Sequence, residues 1–369
     1  MSKIKRIMLI VLATVMMLVP LACNTATKPV ETDPPKTTEA VTTEPVETET
    51  PTSEPVATEP LDESIVITDH LGREVTIEEV PESLVSGYYI TSSMLISLGL
   101  ADKMVGLEAK AATRPIYSLA APHLLDLPNT GSMKEFNLEG AIAMNADLYI
   151  LPLRLEDAVN TLSDLGLTVI AVNPENMELL LETIAMIGLA TGTEERAAKL
   201  ISYYDDKVAE LEAITAESEA VTVYLGGNSD YLSTATSQMY QNHLIELAGA
   251  TNVAAEIDDS YWATISYEQL IDYNPDVIII VPEAEYTKED LLADDKLASI
   301  SAIQNEEIYA MPDSFEAWDS PVPSAILGSM WLSSVLHEDA YPFEAFKDDV
   351  VDFYEVFYNF TAERDDITK

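Results

Sequence analysis

A single cysteine, Cys23, occurs among 369 residues. That excludes an internal disulfide framework, a cysteine-rich zinc site and a Cys-ligated iron–sulfur cluster. Basic residues are scarce as well: 19 Lys and Arg stand against 64 Asp and Glu, a formal net charge of −45. The imbalance argues against a nucleic-acid partner, which needs clustered Lys and Arg to neutralise phosphates. It argues equally against adhesion to an anionic membrane through a basic patch. His70, His123, His243 and His337 are scattered without a paired ligand spacing, which argues against direct metal binding. No G-x-S-x-G, G-x-x-x-x-G-K-S/T, H-E-x-x-H or G-x-G-x-x-G segment occurs, so no signature points to an enzyme. Gly226-Gly227 after an apolar run is by itself a weak phosphate-loop signal. The chain does have 47% hydrophobic residues and enough length for two domains of ordinary size.

The first 62 residues read as an address. Lys3, Lys5 and Arg6 precede an uncharged apolar run from Ile7 to Val19, and small Ala22 follows. This is the layout of a secretory signal peptide over residues 1–22. The run falls short of the roughly 20 residues that span a bilayer as a helix. Pro20-Leu21-Ala22-Cys23 resembles the bacterial lipobox, with Pro20 where Leu is usual, and implies a lipid on Cys23. Residues 23–62 read as a Thr/Pro/Glu tether. Between 24 and 62 there are 11 Thr, 7 Pro and 9 acidic residues, with no Gly and no aromatic. Such a segment cannot bury enough apolar surface to offset chain entropy, so it is expected to be disordered and extended. Residues 63–369 then carry a net charge of −41 with only 14 basic residues, whose positions become informative.

From Ser64 onward short apolar runs alternate with amphipathic stretches. Leu84-Val85, 104–107, 148–151 and 169–172 read as strands, with 92–98 and 156–165 among the helices. The second half repeats the plan with 221–225, 277–281 and 307–310. Alternation of this kind predicts an α/β fold with parallel sheets and helices on both faces. Glu139 leads through a helix to Asn145-Ala146-Asp147, and Glu268 leads likewise to Asn274-Pro275-Asp276. Each Glu-to-Asp interval is eight residues, which favours two lobes of one design. The expected division is an N-terminal α/β lobe over 63–177, a helical connection over 178–216 and a C-terminal α/β lobe over 217–369. Apolar residues recur at helical spacing from Leu180 to Leu211, and Gly188 and Gly192 allow a turn near Gly192. Thr193 reads as a capping-box start with Arg196 where Glu is usual.

Several runs resemble one family. They are Ile67–Ile77, the segment Ser97-Leu98-Gly99-Leu100-Ala101-Asp102-Lys103-Met104-Val105-Gly106, and Leu127–Ser132 followed by Asn137-Leu138-Glu139. Trp318–Ser324 and Trp331-Leu332 extend the likeness into the last third. In order and spacing the chain resembles the substrate-binding lipoproteins of ABC importers, in the class III periplasmic binding protein group with the Fe³⁺-siderophore, haem and vitamin B12 binders. The resemblance implies two Rossmann-like lobes joined by one long interlobe α-helix, with a ligand cleft between them. It also implies a permease and an ATPase as partners, and one docking glutamate per lobe, at Glu139 and Glu268. No cofactor is expected, and the role is capture and delivery rather than catalysis.

In open α/β sheets ligands lie beyond the carboxyl ends of the strands. The corresponding first-lobe loops hold Tyr88, Tyr89, Lys110, Arg114, Tyr117, Lys134 and Arg154. The second-lobe loops hold Asn228, Tyr231, Tyr240, Tyr261, Trp262, Tyr286, Phe315 and Trp318, with Asp313, Glu316 and Asp319. The expectation is a basic wall of Lys110, Arg114, Lys134 and Arg154 facing an aromatic wall that includes Tyr231, Tyr261, Trp262 and Trp318. Arg and Lys pair with anionic ligand groups, while Tyr and Trp pack flat or apolar parts. Trp331 is expected in the core. An Fe³⁺-siderophore is the expected ligand, with a corrinoid or haem as alternatives, and a surface enzyme on the same two-lobed fold or a surface adhesin as the rival classes.

Overall fold

Short runs of β-branched and aliphatic residues become the buried strands of two sheets. A computed structural model describes residues 64–216, 218, 221–258 and 260–369. The expected signal peptide, Cys23 and the tether lie outside the described residues. The first lobe opens with a hairpin of β1 (Ile65–Thr68) and β2 (Glu74–Ile77). β3 (Leu84–Ser86), β4 (Met104–Gly106), β5 (Leu148–Pro152) and β6 (Val169–Val172) then form a parallel sheet in the order β4-β3-β5-β6. Every residue of β3, β5 and β6 is buried. That matches the continuous apolar reading, because a parallel sheet is covered on both faces.

The hairpin is tied down by Asp69. Its carboxylate accepts from the backbone N–H groups of Leu71, Arg73 and Ala171 and from the Arg73 guanidinium. Arg73 also reaches Ser163 Oγ and the Val169 carbonyl. Burial opposes ionisation of Asp69, but these donors outweigh it and hold its pKa below the ordinary carboxylate value.

The second sheet contains β7 (Val221–Gly226), β8 (Ser233–Ala235), β9 (Ala250–Asn252), β10 (Trp262–Thr264), β11 (Val277–Ile280) and β12 (Ile308–Ala310). Its order is β10-β8-β7-β11-β12, with β9 also on β7. β8 runs antiparallel to β7 and β10, so this sheet is mixed rather than purely parallel as expected. The connection from Gly226 to Ser233 is too short for a crossover, and a short connection forces antiparallel pairing.

The first-lobe helices are α1 (Tyr89–Ser97), α2 (Pro115–Ala120), α3 (Leu138–Met144) and α4 (Glu156–Asp164). The connection is a pair of packed helices, α5 (Met177–Thr191) and α6 (Glu194–Thr215), not one continuous helix. Gly192 ends α5 at φ +69°, with its N–H on the Gly188 carbonyl. A side chain would be strained in that conformation. The capping box expected at Thr193 does not form. Thr193 makes no side-chain cap bond, and Arg196 turns away to the carbonyls of Ser97 and Phe357. There it satisfies orphan acceptors at the ends of two other helices.

The second lobe adds α7 (Tyr240–Leu247), α8 (Tyr267–Tyr273), α9 (Lys288–Ala293), α10 (Ser301–Gln304), α11 (Ile326–Leu336) and α12 (Phe343–Tyr358). Phe346, Val350, Phe353, Tyr354 and Phe357 form a buried stripe on α12. That helix packs on α11 and also on α1, so the end of the chain touches both lobes.

The internal repeat is physical. Asn137 caps α3 through Gly140 N–H, and Ser266 caps α8 through Gln269 N–H. Both helices end on a left-handed Asn, Asn145 at φ 48° and Asn274 at φ 42°. Asp147 then accepts from Ser83 N–H and Oγ, and Asp276 from Thr222 N–H and Oγ1. Each aspartate thus anchors its strand to the start of the neighbouring one.

Candidate functional site

The carboxyl end of β3 carries a chain of buried hydroxyls. Ser86 Oγ lies 2.6 Å from Thr91 Oγ1 and 2.8 Å from Ser92 Oγ, and Ser92 Oγ donates to Glu108 Oε2. Tyr117 donates to the other oxygen of Glu108. Burial pushes the Glu108 carboxyl above its ordinary value, although these hydroxyls and the charge of Arg114 pull the other way. α1 starts directly after this strand and presents Tyr88 and Tyr89, whose rings meet edge to face at 5.8 Å. Arg114 is the N-cap residue of α2, and its guanidinium lies 3.7 Å from the Tyr89 ring centroid. Burial raises the pKa of Tyr89 above the ordinary phenol, so it faces the arginine as a neutral ring with hydroxyl.

The second lobe meets this wall with the segments after β11 and β12. A narrow, partly open pocket is lined by Tyr89, Arg114 and Ile116 on one side and by Pro282, Phe315 and Glu316 on the other. It lies where strands of both lobes end, the position expected for ligands in open α/β sheets. Arg114 is the cation of its lining, and the exposed acids Glu283 and Asp313 complete the rim. Glu316 and Asp319 are nearly fully buried. Burial pushes both carboxyls up, Asp319 to about 6. A second contact across the cleft is Arg154, 5.8 Å from the ring centroid of Tyr261 and paired with Glu175 at 3.2 Å. Trp262 stands beside Tyr261, and both rings are exposed.

The profile of a family described as periplasmic binding protein matches residues 84–315. The chain belongs to the periplasmic binding protein family. It is 24% identical over 331 residues to the molybdate-binding protein MolA of Haemophilus influenzae, covering 82% of this chain and 93% of that protein. It is 24% identical over 255 residues to an uncharacterized ABC transporter substrate-binding lipoprotein, YvrC, of Bacillus subtilis, covering 66% and 77% of the two chains. A solved periplasmic solute binding protein from Veillonella parvula superposes with a TM-score of 0.73 at 20% identity, over 82% of this chain and 95% of that one. Proteins of this family bind solutes for transport outside the cytoplasm and are not enzymes. Among the described residues no helix is long and apolar enough to cross a membrane.

In this periplasmic binding protein the expected basic wall is uneven. Arg114 lines the pocket, while Arg154 lies outside its lining and pairs with Glu175. Lys110 and Lys134 are exposed and outside the pocket lining. The aromatic wall is uneven too. Tyr261 faces Arg154 with exposed Trp262 beside it, and Tyr88 meets Tyr89 edge to face, but Tyr231 turns to Tyr267 and Asp294, donating to the latter at 2.8 Å. Trp318 was expected at the cleft, yet it is fully buried. It stacks on Phe315 and donates to Tyr354 Oη, because the loop around it folds onto α12 rather than into the opening. Trp331 is buried as expected.

Glu139 and Glu268 are exposed in the first turns of α3 and α8. Backbone N–H and the Ser266 hydroxyl hold Glu268 below its ordinary pKa. Glu175 beside Arg154, Glu283 at the pocket and Ser320, which hydrogen-bonds the Tyr89 hydroxyl, escaped sequence reasoning. Charge is so common in this chain that a glutamate carries little signal. Among the described residues no group of three or more His, Cys, Asp or Glu could hold a metal ion.

Proposed function

We propose that this protein is the extracytoplasmic receptor of an ABC importer, and that its cleft takes an anionic metal species, a compact oxyanion of the molybdate kind. The observation that carries the reading is Arg114, which rests on Tyr89 inside a small pocket shared by both lobes. A guanidinium stacked on a ring keeps its edge N–H groups free for an oxyanion. The molybdate-binding relative, matched over most of its length, supports the same class.

The second reading is an Fe³⁺-siderophore, or by the same surfaces a corrinoid or haem. It is favoured by the exposed rings of Tyr261 and Trp262 beside Arg154, which offer flat apolar area and charge outside the small pocket. In either case Glu139 and Glu268 dock the loaded protein on a permease, and an ATPase subunit drives uptake. A lipid on Cys23 holds it to the outer face of the cytoplasmic membrane, and the description of the Bacillus subtilis relative as a lipoprotein supports this.

Thermal melting with molybdate, ferric siderophores, cobalamin and haem separates the readings. A ligand at about 100 times its Kd adds roughly 2.7 kcal/mol of stability. The oxyanion reading expects a shift with molybdate that disappears in Arg114→Ala and survives Tyr261→Ala with Trp262→Ala. A shift with siderophore alone, lost in the aromatic pair, replaces it with the second reading. No shift with any of them refutes both.

A further inference from the structure

One buried carboxylate joins the two lobes beneath the pocket. Glu316 belongs to the second-lobe segment after β12 and lines the pocket. Its side chain points down, away from solvent, and is 6% exposed. Oε1 accepts from Ser93 Oγ of α1, a first-lobe helix, across 223 positions of sequence. Oε2 accepts from Tyr358 Oη at 2.8 Å and from Ser324 Oγ. Ser93 Oγ and Tyr358 Oη also lie 2.8 Å apart. Three buried hydroxyls thus converge on one carboxylate, and each comes from a different segment: α1, the loop before α11, and the last residue of α12.

Ser93 stands one helical turn beyond Tyr89, on the same face of α1. Glu316 sits between Phe315 and Ala317, which also line the pocket. The bond between Ser93 and Glu316 therefore links the residues that form opposite pocket walls. The charged groups acting on this carboxylate are few. Arg114 favours its ionised form from the first lobe, while burial opposes it. Tyr89, Tyr204 and Tyr354 face it as neutral phenols.

We infer that Glu316 is a positioning residue: through Ser93 and Tyr358 it latches the first-lobe helix to the second lobe and sets the separation of the Arg114–Tyr89 wall from the Phe315 wall. This rests on the cleft being the ligand site. A buried carboxylate with three hydroxyl donors is costly to break and directional. A latch at this point fixes the width of the opening more firmly than apolar contact, which is not directional. The long helix pair sets how the lobes are connected, and the latch sets how far apart they rest.

The test uses the full chain carrying Cys23→Ser, with spin labels on cysteines introduced at the exposed positions Ser118 and Glu289, one in each lobe. Glu316→Gln and Ser93→Ala are each expected to lengthen and broaden the distance distribution. Ser324→Ala removes a donor to the same carboxylate from within its own lobe, and is expected to leave the distribution as it is. A merely structural role would make the two serine variants alike. Sodium molybdate is the binding probe, and its Kd is expected to rise at least tenfold in Glu316→Gln and Ser93→Ala. Unchanged distances in both Glu316→Gln and Ser93→Ala overturn the latch, as does an equal change in Ser324→Ala. If Glu316→Gln fails to fold, Ser93→Ala decides alone. Absence of molybdate binding by the unsubstituted cleft counts against the oxyanion reading, while the distances still decide the latch.

Discussion

Replacing Asp319 by asparagine should make the protein more stable at alkaline pH, and that advantage should disappear near pH 4. Asp319 is 6% exposed and accepts from Gln241 Nε2 at 3.1 Å. Burial raises its carboxyl from the ordinary 3.8 to about 6, the Gln241 bond opposes this, and Glu283 adds to it. The folded protein therefore binds a proton that the unfolded chain has already released between about pH 4 and 6. Stability falls with rising pH across that window, and the deficit is complete above it. A shift of about two units at ~1.4 kcal/mol each amounts to about 3 kcal/mol. The amide keeps an acceptor for Gln241 but adds N–H groups that need partners, so a net gain of about 2 kcal/mol is expected at pH 8. Urea unfolding of both proteins, followed by circular dichroism from pH 4 to 8, measures the difference directly. A gain that does not shrink as pH falls would refute the reasoning, and so would a wild type that is the more stable at pH 8.

Other outcomes follow from the same structure. Glu139→Ala with Glu268→Ala should abolish uptake in cells while the Kd measured by calorimetry stays the same, because both side chains are exposed and outside the pocket. Lys110→Ala and Lys134→Ala should leave ligand affinity unchanged in the same calorimetric assay, since neither lines the pocket. Trp318→Ala should cost about 3–5 kcal/mol in denaturant unfolding, the cost of emptying a buried aromatic site, although the residue touches no ligand. Arg114→Ala should weaken binding of an anionic ligand at least tenfold with little effect on the melting temperature of the unliganded protein, because the side chain is half-buried and packs on one ring.

Much of the fold was legible because parallel strands must be apolar throughout. The runs at 84–85, 148–151, 169–172 and 277–281 read as strands for that reason, and all of these positions but Val281 lie in strands. The eight-residue interval from Glu to Asp was legible too, since it encodes a local unit: a cap, a helix, a left-handed Asn and an anchoring Asp. The antiparallel β8 and β10 carry no such signal, because Ser233–Ala235 and Trp262–Thr264 contain no apolar run. Arg196 was misplaced because its partners, Ser97 and Phe357, lie about a hundred or more residues away.

The site was legible as loops but not as contacts. Position after a strand put Tyr89, Arg114, Arg154 and Tyr261 in strand-end loops; Tyr89 and Arg114 line the pocket, and Arg154 meets Tyr261 outside it. It put Trp318 there as well, and the packing of its loop on α12 took that residue into the core.

What the sequence by itself determined was local: apolar runs, helix caps, the break at Gly192 and the scarcity of cations that makes Arg114 conspicuous. What only the tertiary structure decided was which distant groups share a buried space. Ser93, Glu316 and Tyr358 are far apart along the chain, and no periodicity connects them. They meet because the last helix returns to pack on α1, and burial then requires every polar atom in that space to find a partner.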